Sequence, residues 1–439
     1  MAQERKIAIH TERQPSYYDE FHCLADGCRI NCCCGWSVTM DKSDYGKLRS
    51  LHAGKELRAL LDDDLKRARA DDPNAPAAYY AELSAARQGV CRFQTEEGLC
   101  RIQREEGERA LPEICRQFPR LSRFTPGGYH ERYLSLGCER VLELLWRHTP
   151  VRFDMTPYRS NGQQTFYHYK ATPWLDHWEQ IRAVCIDILQ YHALPLNQRI
   201  LLLGLRLKAL AGGEADAETW VNKSRWLLTS FTLAETLSDV LPHTDAALAS
   251  YLENSIYALY RCNMNHPRLA ALRDELLAAL DTDVKRTATA SFVENNADGT
   301  KTFRFNQDSW QDAVRVTETT LAAWRGASAR WDAAQDERGQ FMENLAVAAF
   351  FNMGVPFCDS AADLEKSFVR YCSLYSFFRF MAVMSCREGA AADKAALFDC
   401  VVAAARSMMY NRTLEGKLAD EFFANDSASL AHMAILLAE

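Results

Sequence analysis

The chain lacks most of the features that mark the common protein classes. Its longest apolar run, Leu345 to Phe351, is far short of the roughly 18–20 residues that cross a bilayer, so no transmembrane segment is expected. Residues Met1 to His10 carry Glu4, Arg5 and Lys6 and no apolar stretch. No secretory leader is therefore expected, and a cytoplasmic protein is. Basic residues are not in excess: 51 lysines and arginines against 58 aspartates and glutamates leave a net charge of −7 over 439 residues. That argues against a protein whose business is coating nucleic acid. There is no P-loop, no G-x-G-x-x-G after a strand, no G-x-S-x-G elbow and no H-E-x-x-H, so a nucleotide-binding α/β core, a serine hydrolase and a zincin are all set aside. No internal repeat and no low-complexity tract is present. Hydrophobic residues at 48% and charged residues at 25% are ordinary for globular chains, which excludes disorder and coiled coil.

What the chain has in quantity is cysteine, 15 in all. Nine fall in the first 138 residues, as Cys23-x4-Cys28-x3-Cys32-Cys33-Cys34 and then Cys91, Cys100, Cys115 and Cys138. In a reducing compartment such a concentration is more often a metal site than a set of disulfides. Thiolates suit both zinc and iron–sulfur clusters. The paired Cys-x2-Cys hooks of structural zinc sites are missing, and the longer spacings suit the wider face of a cubane, so iron–sulfur leads and zinc stays open. Adjacent side chains diverge, so Cys32 and Cys33 are not expected to face one metal together from a regular element. His22, beside Cys23, is a possible extra ligand. The other six cysteines, Cys185, Cys262, Cys358, Cys372, Cys386 and Cys400, are scattered singly and read as small apolar core residues.

The length predicts two to three domains, at roughly 150 residues each. Residues 1–148 read as a cysteine-rich module, 148–173 as a linker with Pro150, Pro157, Pro173 and the Ser160-Asn161-Gly162 turn, and 174–439 as a helical domain. Between the cysteine blocks, Leu48 to Leu83 reads as helix, loop and helix, broken at Asp71-Asp72-Pro73-Asn74-Ala75-Pro76. From Trp174 onward, apolar stripes such as Ile181, Cys185, Ile188, Leu189 and Ile200, Leu203, Leu207, Leu210 predict helices. Gly212-Gly213 stops one of them, and Asp41 and Thr244 are expected caps. Asn295-Asn296-Ala297-Asp298-Gly299, between Ser291-Phe292-Val293 and Thr302-Phe303-Arg304-Phe305, predicts a β-hairpin. The fold class expected is mainly α: a small cysteine-rich metal-binding module followed by a large helical domain with one β-hairpin.

Near the second cysteine block, arginines and glutamates alternate. They read either as a solvated helix with paired charges or, more narrowly, as Arg116, Arg120 and Arg123 holding an anionic ligand such as a carboxylate beside a cluster. Trp36, after Gly35, reads as a shield for the thiols.

These residues resemble a known family. Tyr17-Tyr18-x2-Phe21-x-Cys23-x4-Cys28-x3-Cys32-Cys33-x-Gly35-Trp36 with Asp41-Lys42 is similar to the start of the flagellin lysine N-methyltransferases, the FliB family. So are Cys91-x-Phe93, Gly98-Leu99-Cys100-x-Ile102-Gln103, Gly107-Glu108, Leu111, Cys115 and Phe118-Pro119-Arg120, and, further on, Trp178-x2-Ile181-Arg182, Ile188-Leu189-Gln190 and Leu196-x2-Arg199. The first 138 residues also resemble zinc- or iron-chelating (YkgJ-like) proteins. The resemblance implies methyl transfer from S-adenosylmethionine to lysine side chains of flagellin, and a 4Fe-4S cluster with zinc as the alternative. For that cluster it points to Cys23, Cys28, Cys32 and Cys33, with Cys91, Cys100, Cys115 and Cys138 completing it or forming a second site. Arg116, Arg120 and Trp36 are then the residues expected beside the cofactors. The Cys-x3-Cys-x2-Cys triplet of radical enzymes is not met, because Gly35 stands third after Cys28 and Cys32, so direct displacement is the expected route. A metal-carrying scaffold without catalysis is the competing reading. Oligomeric state has no signal in the sequence.

Overall fold

The computed structural model describes all residues except 1–3, 35–37, 68–79, 84–88, 160–164, 171, 214–215, 231, 243, 263, 265, 289–291, 296–300, 305–309, 335–336, 359, 410–429 and 438–439. Trp36, the 71–76 loop, the turn at 160–162, Ser291, the hairpin turn at 296–299, Phe305 and the chain around Tyr410 and Ser427 therefore lie outside the described residues.

The helical body is organised around one helix, Ala361–Met384. Side chains on every side of it are buried, among them Leu364, Phe368, Tyr371, Cys372, Phe378 and Met381. A helix apolar all round belongs at the centre of a bundle. Leu196–Ala211, Asp245–Arg261, Glu318–Ala333, Arg338–Met353, Lys394–Met409 and Leu430–Leu436 pack against it. Trp178–Leu189 packs on Leu196–Ala211 and Arg338–Met353, and the stripe Ile181, Cys185, Ile188 and Leu189 is wholly buried. Local chemistry sets the ends. Asp41 accepts from the Asp44 amide at 2.8 Å, Thr244 from Ala247 at 3.2 Å, and Thr317 and Thr320 form a reciprocal capping box. Each such cap stabilises its helix by about 1 kcal/mol. Gly212 ends its helix as expected. Of the six scattered cysteines, five are buried and Cys358 is half-buried. No helix among the described residues is long and apolar enough to cross a membrane.

The β content exceeds the single expected hairpin. That hairpin is present, as Phe292–Asn295 paired with Lys301–Arg304. It is flanked by a second antiparallel pair, Asp283–Ala288 with Trp310–Arg315. The front of the chain adds a four-stranded sheet in the order Arg120–Phe124, Tyr129–Leu134, Thr11–Pro15, Phe153–Pro157, the middle pair parallel. Glu4–Ala8 pairs with Phe166–Lys170. The segment expected as a linker thus supplies two strands, both paired with the extreme front of the chain. Strands such as Thr-Glu-Arg-Gln-Pro have no apolar alternation, so nothing local announces them. Likewise Leu48 to Leu83 is helix (Lys42–Ser50), helix (Lys55–Asp64), then strands Leu65–Arg67 and Ala81–Leu83, which join Val38–Met40 in a three-stranded sheet.

Two separate cores result. The large one runs from Tyr17, Phe21 and Ile30 through Leu134 to Leu145 and the whole helical body. The small one holds Val38, Met40, Leu48, Leu57, Leu61, Leu65, Ala81, Leu83, Phe93, Ile102, Ala110 and Leu111.

Between sheet and body lies a buried charge network. Arg182 and Glu131 are fully buried and paired. Arg123 donates to the Glu131 carboxylate at 2.7 and 2.9 Å and to the carbonyls of Phe351 and Asn352. Burial opposes ionisation of Glu131, but Arg182 and Arg123 outweigh it and hold the carboxyl below its usual range.

Candidate metal centre

The two cysteine blocks, nearly sixty residues apart in sequence, adjoin in the fold. The Cys91 amide donates to the Cys33 carbonyl at 2.8 Å, and Cys34 and Val90 form an antiparallel bridge. The first block is a loop shaped by its own polar groups. Ala25 takes a left-handed φ of 51°, and its amide donates to the Cys23 sulfur at 3.3 Å. The Asn31 side chain accepts from the Cys33 amide at 3.0 Å, an Asx turn that curls Cys32, Cys33 and Cys34. The second block folds back on itself through a turn at Gly98, whose φ is +82°. The Thr95 amide reaches the Leu99 carbonyl at 2.8 Å and Arg101 reaches Phe93 at 2.6 Å, so Cys100 returns beside Cys91. Cys115 rides the short helix Glu113–Gln117, whose first amide is held by the buried Asp44 carboxylate at 2.7 Å. Cys138 is the residue before the helix Glu139–Arg147.

Besides Cys23, further sulfurs accept from backbone donors. Cys91 accepts from Phe93, Cys100 from Ile102 and Gln103, and Cys138 from Arg140 and Val141. Amide donors of this kind favour the thiolate. Burial acts the other way and dominates: it pushes Cys28 and Cys138 up to about 12 and Cys91 to about 11, and raises Cys100 and Cys115. Cys32 is the exception. A hydrogen bond from the Cys33 thiol and the nearby Arg406 guanidinium lower it, while Cys33 rises correspondingly.

The mutual electrostatic influence of the thiols divides them in two. Cys28 senses Cys138, Cys23 and Cys32. Cys33 and Cys115 both sense Cys32, Cys100 and Cys91. Cys32 lies between the groups and acts on members of both. Cys138 thus lies near Cys28, and Cys33 near Cys91 and Cys100. Among the described residues no three of these side chains, alone or with His, Asp or Glu, stand close enough to share one ion. No disulfide joins any of the described cysteines.

The donor set nevertheless fits a thiophilic group in its chemistry. Several soft sulfurs are desolvated together, their thiolate forms are opposed by burial, and amides already point at several of them. Only a cation supplied from outside would balance such a set of thiolates. Cys23, Cys28, Cys32 and Cys138 would hold it on one side, and Cys33, Cys91, Cys100 and Cys115 on the other.

The residue that joins the two cysteine-bearing segments was not singled out from the sequence. Arg406, on Lys394–Met409, donates to the carbonyls of Ile30 at 2.8 Å, Asn31 at 2.9 Å and Gly137 at 3.0 Å. Its only signal is that it is the one charge in the apolar run Val401 to Met409. Glu139 helps, accepting from the Arg29 amide at 3.0 Å and its side chain at 2.6 Å. Arg116 is paired with Glu113, and Arg120 lies over the Phe21 ring and donates to its carbonyl at 3.2 Å. Both guanidinium groups are thus engaged within the protein. His22 is turned to the Glu20 carbonyl at 3.0 Å.

A thiol-rich head on a mainly helical body is the class of protein these observations define. A family model described as the FliB lysine N-methylase C-terminal domain matches residues 182–436. The chain belongs to that family. The chain is also similar to "Lysine-N-methylase" of Salmonella typhimurium (strain LT2) and of Salmonella choleraesuis (strain SC-B67), each at 29% identity over 134 residues, which is 30% of this chain and 31% of theirs.

 "Flagellar biosynthetic protein FliU" of Salmonella muenchen matches at 29% identity over 133 residues, 30% of this chain and 74% of that protein. The matched segment thus spans under a third of the length of the two lysine-N-methylases. No solved structure matches the chain.

Proposed function

We propose that the protein methylates lysine side chains of flagellin in the cytoplasm, with S-adenosylmethionine as donor and a cysteine-held centre, of iron–sulfur type, in its head. The observation that carries this reading is the membership of residues 182–436 in a lysine N-methylase family, joined to a head in which two thiol blocks adjoin. In the reaction the lysine ammonium first loses a proton to solvent. The free amine nitrogen then forms a bond to the methyl carbon as the sulfur–carbon bond breaks, leaving a thioether and a methylammonium. Neither oxidant nor reductant is needed. A bound cluster or zinc ion would supply positive charge to the thiolates and fix the loops that carry them. Arg406 positions those loops from the helical body by holding three of their carbonyls.

The test is an anaerobic assay of the full chain with flagellin and methyl-labelled S-adenosylmethionine. Label on flagellin lysines, reduced about a hundredfold or more in Cys28→Ser or Cys32→Ser by loss of ligands, supports the reading. No label in a preparation of full metal content overturns it. Elemental analysis decides between iron with sulfide and zinc. Zinc with no transfer would leave the metal-carrying scaffold.

A further inference from the structure

We propose that S-adenosylmethionine binds away from the thiols, in the cleft between the Phe166–Lys170 strand and the start of the Ala361–Met384 helix. This rests on the methylase reading and adds to it the place of the donor. The cleft has a volume of about 320 Å³, at the lower end of the roughly 300–1,000 Å³ that hold drug-sized ligands. Two further cavities, of about 60 and 30 Å³, are far too small.

Its lining has the chemistry of the donor. Tyr167 and Tyr169 alternate along the strand and so share a face. Their rings lie nearly parallel, 10° apart in plane, with centroids 6.2 Å apart. Stacked in this way, the pair offers an outer ring face against which a purine can lie. Phe357 adds another ring, and aromatic faces attract a sulfonium, a cation with no N–H to donate. Lys170 and Asp363 bring one charge of each sign to the same cleft, as an α-amino carboxylate requires. A lone lysine side chain of a protein substrate would meet Asp363 favourably but Lys170 unfavourably, so the zwitterion fits better.

The walls are set before any ligand arrives. Pro126, in the floor, belongs to a turn closed by Gly128 donating to Thr125 at 3.1 Å. A Cβ on Gly127 would lie 2.0 Å from Trp178, and one on Gly128 would lie 2.8 Å from the Ala8 carbonyl, so the turn is wedged between them. Trp178 packs in turn on Phe357, with ring centroids 4.7 Å apart. Ser360 donates to the Asp363 carboxylate at 2.6 Å and steadies it.

The experiment is titration calorimetry of the full-length protein with S-adenosylmethionine and, separately, adenosine. The variants are Tyr169→Ala, Lys170→Gln and Asp363→Asn, each checked by thermal melting. Asp363→Asn and Lys170→Gln replace exposed side chains and are expected to fold. All three should weaken S-adenosylmethionine about tenfold, the size of one charge-assisted or π contact. Adenosine, which lacks the amino-acid end, should be weakened by Tyr169→Ala alone. If the wild-type protein transfers methyl groups while all three variants bind the donor as tightly as it does, the cleft is the wrong place and the function stands. If displacement by a lysyl peptide rather than by adenosine is seen, the cleft is a substrate site and the proposal is overturned. If the wild type neither binds the donor nor transfers methyl groups, the methylase reading fails and this one with it.

Discussion

The small core of the head and the large core of the body are stabilised by different means. The body buries apolar side chains around a central helix that is covered on nearly every face from Phe368 onward, and each such residue contributes about 1.5–3 kcal/mol by leaving water. The core of the head gathers twelve buried apolar residues among the described ones, from Val38 to Leu111, and four of its half-buried neighbours are Cys91, Cys100, Ile114 and Cys115. Domains of this size gain little from burial alone and are commonly held by metals or disulfides. With no disulfide formed, the comparison teaches that the thiols stand where the head runs short of apolar surface, at its junction with the body.

The sharpest way to break this comparison is to strip the thiols. Replacing Cys91 and Cys115 by serine, or treating the protein with a strong chelator, should unfold residues 38–115 and leave the body folded. Structural metal in small domains carries on the order of 10 kcal/mol of folding energy. Hydrogen exchange, read segment by segment, checks this. Equal loss of protection in both regions, or none in the head, would contradict it.

Next in size is the seam between sheet and body. Glu131→Gln leaves Arg182 and Arg123 buried without their counter-charge and should destabilise the protein by about 3–5 kcal/mol. The pH dependence has a definite sign. The folded carboxyl titrates below its ordinary value of 4.5, so its contribution is full above that pH and is lost as the pH falls through the folded value. Denaturant titrations of wild type and variant should therefore converge on acidification. Persistence of the difference in strong acid would refute the assignment.

The smallest effect is local to the body. Thr317→Ala removes one cap of the Glu318–Ala333 helix and should cost about 1 kcal/mol. It should leave protection in the head unchanged, and transmission to residues 38–115 would show the two regions to be one cooperative unit.

Much of the body could be read in advance. Its helices carry apolar stripes at helical spacing; the Thr244 boundary is encoded by one side chain accepting from a nearby amide, and the Gly212 boundary by a glycine pair whose second member takes a φ of +67°. The sheets of the front could not. The Thr11–Pro15 strand is polar and pairs with Tyr129–Leu134 and Phe153–Pro157, more than a hundred residues away. The candidate site was legible as an inventory of sulfurs and not as an arrangement. The nearness of Cys138 to Cys28, and of Cys33 to the later block, depends on how two loops meet. The tyrosines of the cleft were equally hidden, since strand alternation brings out Tyr167 and Tyr169 only once the segment is known to be a strand.

The order of residues alone determined the stock of thiols, the helices and their caps, because each depends on side chains within a turn or two of one another. Only the tertiary structure decided that Arg406 from the far end of the chain would grip Ile30, Asn31 and Gly137, and that Cys91 would hydrogen-bond to Cys33. Contacts across such distances follow from the packing of whole elements, and that packing leaves no period in the sequence to be read.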